Sequence, residues 1–414
     1  MSPTARGAAV LGAVALSGLI VPPAFAVLAL LAVAAAIGAD AYAGRRPPVV
    51  VREAPTTLSR GVPAPLSLRA TGEGRSLRLR QPRVPDVSVE PAEADGELQA
   101  EIVGRRRGRH VLPAAAARVT GPLGLGSWKH RPGEDHELVV YPDLPTARRL
   151  ALAVRTGRFR DEGRRSRGPL GLGTDFESIR DYSPDDDVRQ LNWRATERLG
   201  RPMSNVYRVE RDRDVVCVVD CGRLMAAPLG DLTRLDAAID AAVSVAAVAD
   251  AVGDRAGTLA FDDEIRRSLS PRRAGGHAVI QALFDLEPRP VDSDYELAFR
   301  HVGETKRAFV LVLTDLLDET AARPLAAALP LLARRHALAV ASATDVDLEQ
   351  LLTDEPEGVE QVYRAAAAAE VLAARERVVA RLRRAGALVI EAPARALPAA
   401  CVSAYLRAKA RARL

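Results

Sequence analysis

The sequence predicts an α/β domain with a mostly parallel sheet and helices on both faces, preceded by a β-sandwich-like domain and an N-terminal transmembrane hairpin. Three observations carry that prediction. Residues 7–39 contain no charged side chain, a run longer than the ~20 apolar residues that cross a bilayer. Between Pro47 and Asp143, short apolar–polar alternations recur between prolines and glycines, the pattern of half-buried strands joined by turns. From Val215 onward, continuous apolar runs alternate with long Ala-rich stretches, the order that a buried parallel sheet with crossover helices requires. The expected divisions are an anchor (1–44), a β-rich domain (45–145), a linker with a distinctive segment (146–212) and the α/β domain (213–414).

Within the anchor, Pro22 and Pro23 separate Gly7–Val21 from Ala24–Ala39, because paired prolines break helical hydrogen bonding. Arg6 precedes the segment, and Arg45 and Arg46 follow it. The positive-inside rule puts both flanks in the cytoplasm, as a hairpin allows. One kinked span and a cleaved signal ending at Ala24-Phe25-Ala26 are the alternatives. The apolar run Val27–Ile37 that follows at once argues against the signal. The expected location is therefore the cell membrane, with two helices and cytoplasmic soluble domains.

In the β-rich region the alternating runs are Leu66–Arg69, Leu77–Arg80, Val87–Glu90 and Leu98–Ile102. The basic cluster Arg105–Arg109 reads as a solvated or membrane-proximal hairpin, with phosphate or lipid headgroups as the alternative ligand. Composition narrows the function classes. Hydrophobic residues make up 48% and exclude general disorder; aromatics are 4%, so the core is built from Ala, Val and Leu. Three cysteines in 414 residues exclude a disulfide framework. A net charge of +5, with arginines interspersed among acids, does not mark a nucleic-acid stripe.

The distinctive segment runs Asp175-Phe176-Glu177-Ser178-Ile179-Arg180-Asp181-Tyr182, then Ser183-Pro184-Asp185-Asp186-Asp187-Val188-Arg189-Gln190-Leu191-Asn192-Trp193-Arg194. Ser183 suits a helix N-cap, Pro184 the first helical position, and the three aspartates the first turn. Val188, Leu191 and Ala195 would then share one apolar face. This gives the acids a structural role without a metal, which would need oxygens converging from several elements.

In the last domain Val215–Val219 reads as a buried strand ending at Asp220, and Leu232–Val252 as a long helix. Gly257–Phe261 and Ile265–Leu269 read as a hairpin. Phe309–Leu313, ending at Thr314-Asp315, Ala337–Ala341 and Ala387–Glu391 read as further strands. Helices are expected near His277–Leu286, Tyr295–Val302, Ala321–Arg335, Val359–Arg384 and Pro398–Arg411. Cys217 lies mid-strand and reads as a small core residue. The six histidines are scattered, with no His-Glu-x-x-His pattern, and no Gly-x-Ser-x-Gly nucleophile motif occurs.

The stretch Gly173–Arg198 resembles the signature of a bacterial family called "domain of unknown function 58". The shared elements are Asp175-Phe176-Glu177, Ile179-Arg180-Asp181-Tyr182, the Pro184-to-Arg189 turn, and Asn192-Trp193-Arg194 leading to Arg198. Asp185 stands where the family usually has Gly, and Asn192 where Asp is usual. The resemblance implies a C-terminal domain similar to von Willebrand factor A, whose metal-dependent adhesion site begins Asp-x-Ser-x-Ser and adds a Thr and an Asp from later loops. Here Asp220-Cys221-Gly222-Arg223-Leu224 keeps the acid and lacks both serines, and Asp315 matches the later acid. Asp220 and Asp315 are thus expected to be remnants of a metal site, with Arg223 pairing one of them in place of the ion. No cofactor is expected, Mg²⁺ being the open alternative. The family also implies a partnership with a MoxR-type AAA+ ATPase. From this follows a membrane-anchored adaptor, not an enzyme, that joins the ATPase and other membrane or envelope proteins in assembling or maturing complexes, with no nucleic-acid or small-molecule partner. Its interacting residues would be Asp175, Phe176, Glu177, Arg180, Asp181, Tyr182, Asp186, Asp187, Arg189, Trp193, Arg198 and Arg223. The competing reading is a metal-dependent hydrolase using the carboxylates of the segment.

Overall fold

The computed structural model describes residues 1–71, 76–159, 175–183, 191–208, 213–303, 306–316, 319–356 and 358–410. They form two compact units, Met1–Tyr141 and Pro142–Leu414.

The first unit begins with a short strand β1 (Ser2–Pro3) and two helices, α1 (Ala5–Ser17) and α2 (Pro23–Ala43). The expected arms were nearly equal, but the helices have 13 and 21 residues. The helix α2 runs past the end of the uncharged segment because Asp40 is buried in a socket of backbone amides. Its carboxylate accepts from Leu123, Leu125 and Gly126, each at 2.8 Å. Among the described residues α2 alone is long and apolar enough to cross a membrane, with a mean hydropathy of 2.2.

The strands that follow are β2 (Val49–Glu53), β3 (Thr57–Ser59), β4 (Ala64–Thr71), β5 (Leu77–Arg80), β6 (Val87–Glu90), β7 (Glu93–Asp95), β8 (Glu97–Gly104), β9 (Gly108–Leu112), β10 (Ala116–Thr120), β11 (Gly126–His130) and β12 (His136–Tyr141). Their sheets are ordered β2-β4-β8-β6, β1-β11-β10-β5-β7 and β3-β12-β9. Pairing is antiparallel except between β3 and β12. All four alternating runs are strands, as their period predicts. Along β8 buried and exposed residues alternate, and Leu66, Leu68, Leu79, Leu98, Ile102, Leu112 and Leu138 share one core.

The second unit opens with α3 (Leu144–Arg155), in a stretch the sequence reading assigned to linker. Asp143 caps this helix by accepting from the Thr146 amide, and Ala147 and Val154 are buried on one face. That spacing is helical and was legible. Next come β13 (Asp175–Asp181), α4 (Trp193–Leu199) and β14 (Met203–Arg208), with β13 and β14 antiparallel.

The α/β core follows: β15 (Asp214–Asp220), β16 (Pro228–Leu229), β17 (Leu232–Thr233), α5 (Arg234–Val252), β18 (Arg255–Phe261), β19 (Ile265–Arg272), α6 (Gly276–Leu283), α7 (Tyr295–Gly303), β20 (Ala308–Leu313), α8 (Glu319–Ala333), β21 (Ala337–Thr344), α9 (Val346–Thr353), α10 (Val359–Arg384), β22 (Leu388–Pro393) and α11 (Leu397–Ala410). The six-stranded sheet has the order β19-β18-β15-β20-β21-β22 and is parallel apart from its edge strand β19. Both faces are covered. Val215, Cys217 and Val219 of β15 join one core with α3, α5 and α11, whereas Val216 and Val218 join another with α7, α8 and α10. The small side chains of α5 let α3, α6 and α11 all pack against it. Cys217, Cys221 and Cys401 are free and buried, and burial pushes the Cys217 thiol up to about 12. At the opposite end of the sheet from Asp220, α11 is pinned to the turn before β18, where Lys409 Nζ meets Asp254 Oδ2 at 2.6 Å and the Tyr405 hydroxyl donates to the same carboxylate.

Candidate functional site

In an open α/β sheet the order reverses at one strand, and loops diverge from its C-terminal end to leave a crevice where ligands bind. Here that strand is β15, flanked by β18 and β20, and it ends at Asp220. The Asp220 carboxylate is 2% exposed and each of its oxygens takes two donors. Oδ1 accepts from the Gly222 amide at 2.8 Å and from Ser293 Oγ at 2.5 Å. Oδ2 accepts from the Tyr295 hydroxyl at 2.8 Å and from Thr314 Oγ1 at 2.6 Å. Burial, and then the Asp220 charge, raise the Tyr295 phenol well above its usual value, which keeps it protonated and donating.

Asp315, one residue beyond Thr314, meets a cation. Nη1 of Arg234 lies 2.9 Å from its Oδ1, and the two side chains are 4% and 3% exposed. Arg234 also donates to the Ala343 carbonyl at 3.2 Å, and the Leu316 amide donates to Asp315. The expected pairing of Arg223 is thus corrected. Arg223 sits on the turn after β15 and meets Asp292 at 2.5 Å, in solvent. The guanidinium that reaches the acid comes from the first residue of α5. A capping box, Thr233 with Asp236, starts that helix under the sheet edge and aims Arg234 inward. A cation there opposes the helix dipole, so Asp315 is what makes the position tolerable.

Residues 289–294 strap this end of the sheet. Arg289 N donates to the Cys221 carbonyl, Arg223 N to the Val291 carbonyl, and Asp294 N to the Asp262 carbonyl, at 2.8, 2.9 and 2.8 Å. Gly222 permits the crossing: a Cβ there would lie 2.2 Å from Ser293 Oγ. Beside it, the buried carboxylate of Asp262 pairs with Arg266 at 2.7 Å and Arg289 at 3.6 Å. Burial pushes Asp262 up, but the Arg266 hydrogen bond and the Glu264 amide outweigh it, leaving its pKa below the ordinary 3.8.

The edge is therefore a polar cluster whose two carboxylates have donors within the fold. The acceptors of Asp220 are met by hydroxyls and an amide, and Asp315 by a guanidinium. Among the described residues no three His, Cys, Asp or Glu side chains converge as a metal site would require. Sequence reasoning found both acids but missed Arg234, Ser293 and Tyr295. The capping box Thr233-x-x-Asp236 was the available signal for Arg234; nothing local marked Ser293.

The distinctive segment is organised differently. Asp175, Phe176 and Glu177 contribute backbone to β13, while Asp186, Asp187 and Arg189 fall outside the described residues. Arg180 is exposed and donates to the Asp181 carbonyl at 3.1 Å, and Asp181 meets Arg201 at 3.2 Å on the surface. Tyr182 is half-buried, its amide donating to the Pro202 carbonyl. The helical face expected for Val188, Leu191 and Ala195 is corrected at Leu191, which is extended and bridges Ser204. Asn192, also extended, is the N-cap: its Oδ1 accepts from Ala195 N at 3.0 Å, and its Nδ2 donates to Asn205 at 2.8 Å. The helix α4 thus begins at Trp193, and none of its residues is buried. Trp193 is 70% exposed, with Ile179 and Leu199 also exposed and Arg198 beside them in solvent.

A family model described as "Protein of unknown function DUF58" matches residues 178–389, from β13 to β22. No curated protein matches the chain.

Proposed function

Since the chain belongs to the DUF58 family, we propose that it is a membrane-anchored adaptor whose second unit binds another protein. The observation that carries this reading is Trp193, 70% exposed on a helix with no buried residue. Tryptophan and arginine are enriched among the residues that dominate protein–protein contacts. Arg180, Arg194 and Arg198 are exposed on the same arm, so the partner surface it suits is apolar at the centre and acidic at the rim. The cluster at Asp220 and Asp315 supports a binding role over a chemical one, because both carboxylates already accept from side chains of the same fold.

The finer architecture belongs to the same proposal. We read the six-stranded domain as similar to von Willebrand factor A, on its strand order, its antiparallel edge strand and the Asp220 and Thr314-Asp315 positions. The first unit is read as a β-sandwich on a two-helix membrane anchor, with the soluble units in the cytoplasm. The family resemblance makes a MoxR-type AAA+ ATPase the expected partner, working on envelope or other complexes. The test is co-purification of the full chain from native membranes. Wild type should recover the ATPase, and Trp193→Ala should lose it, with the ~30-fold or greater weakening typical of a buried aromatic anchor. Recovery of no ATPase by wild type, or undiminished recovery by Trp193→Ala, would overturn the reading.

A further inference from the structure

We propose that the N-terminal hairpin is re-entrant: it enters one leaflet, turns inside the hydrocarbon and leaves by the face it entered. The proposal rests on the membrane-anchor reading above and commits to the bilayer interior as the occupant of this surface.

Both ends of the hairpin are built into one sheet. Ser2 and Pro3 pair with Ser127 and Gly126 of β11, and Thr4 Oγ1 donates to the Gly124 carbonyl at 2.6 Å. At the other end Ile37, Asp40 and Ala41 of α2 are buried. Gly126 lets the helix backbone approach, since a Cβ there would lie 2.3 Å from the Ile37 carbonyl oxygen. The chain thus leaves the β unit and returns to it within a few residues of the same strand.

The reach is too short for a crossing. At 1.5 Å per residue α1 extends ~20 Å, and the part of α2 before its docked end, Pro23–Ala36, extends ~21 Å. The hydrocarbon is ~30 Å thick. A collar fixes the interface at the base, where Arg45 lies 4.1 Å from the Tyr42 ring centroid and Tyr42 meets Trp128 edge-on. Aromatic and basic residues favour the headgroup level.

The tip has the chemistry of a buried turn. Leu19 and Ile20 are 85% and 90% exposed, and Phe25 is exposed beside them. A complete crossing would leave this charge-free tip in water. From Gly18 to Ala26 every backbone N–H except that of Ala24 donates within the hairpin, close to what lipid demands. The amides of Gly18 and Leu19 donate to Ala15 and Leu16, those of Ile20 and Val21 to Ser17, and those of Phe25 and Ala26 to Pro22. Pro22 and Pro23 have no N–H to satisfy, and they stand where a second helix would otherwise open with unpaired amides. Ser17, the single polar side chain in residues 7–39, donates its hydroxyl to the Val14 carbonyl at 2.7 Å.

The test is labelling of the full chain in phosphatidylethanolamine–phosphatidylglycerol vesicles with a membrane-impermeant maleimide. The three native cysteines are buried, so Ile20→Cys and, as a base control, Leu123→Cys report their own positions. The expected result is that Leu123→Cys labels from the side of the soluble units, while Ile20→Cys labels from neither side until detergent is added. Labelling of Ile20→Cys from the opposite side alone would overturn re-entry and leave the anchor standing. A chain that fails to float with vesicles, with Ile20→Cys reactive in solution, would overturn both. A chain that fails to float with Ile20→Cys still protected would mean that protein, not lipid, covers the hairpin, and would also overturn the proposal.

Discussion

Arg234 is buried against Asp315 at the C-terminal edge of the sheet. Removing one member of a buried ion pair strands the other charge, which costs about 3–5 kcal/mol. Arg234→Ala is therefore expected to destabilise the second unit by that amount in denaturant titrations. Mg²⁺ or Mn²⁺ added to the wild-type chain should leave Tm unchanged, because Asp315 already has its cation; a saturable rise would mean that a metal displaces the guanidinium. Asp262 gives a pH signature. Its folded pKa is depressed below 3.8, so its stabilisation is fully present above that value and is lost as pH falls through the folded pKa. The stability gap between wild type and Asp262→Asn should be full at pH 7 and should close below about pH 4 in parallel urea titrations. A gap that stays constant to pH 2 would show that the carboxylate charge is not what Arg266 and Arg289 hold.

The arm formed by β13, β14 and α4 shows how one residue sets an element boundary. Asn192 is that residue. Its side-chain oxygen accepts from the amide of Ala195, the role in which Asn is among the preferred N-caps. Asn192→Ala is expected to cost about 1 kcal/mol and to loosen α4, measured by amide exchange in residues 193–199. Asn192→Asp keeps the cap oxygen but loses the donor to Asn205 Oδ1, so it should restore only part of the stability that Asn192→Ala loses. The helix start expected at Ser183 does not extend to this point, because Leu191 is held extended by Ser204. A helical period in Val188, Leu191 and Ala195 cannot detect that strand bridge, since period reports spacing along the chain and not a partner 13 residues away.

Across the whole chain, the two units have separate hydrophobic cores. Calorimetry of the full chain should resolve two transitions, as separately cored units do, and Arg234→Ala should lower only one of them. The apolar surface left on α1 and α2 is of another kind. Leu16, Leu28 and Leu31 stay exposed although they lie in the most apolar stretch of the chain.

The sequence by itself determined those elements whose burial repeats along the chain. Uncharged length marked the N-terminal helices, period two marked β4, β5, β6 and β8, and continuous apolar runs marked β15, β20 and β21, because burial on one face or two leaves a local imprint. It also located Asp220 and Asp315, as acids ending adjacent strands. The tertiary structure alone decided their partners. Arg234 is 81 residues from Asp315 and Ser293 is 73 from Asp220, and those meetings depend on which helix starts and which loop crosses over the end of β15. It decided too that Trp193, which a sequence reading can as easily dock against the α/β domain, stands in water: aromatic character gives the value of burial, and only the packing of neighbouring elements determines whether a surface is there to provide it.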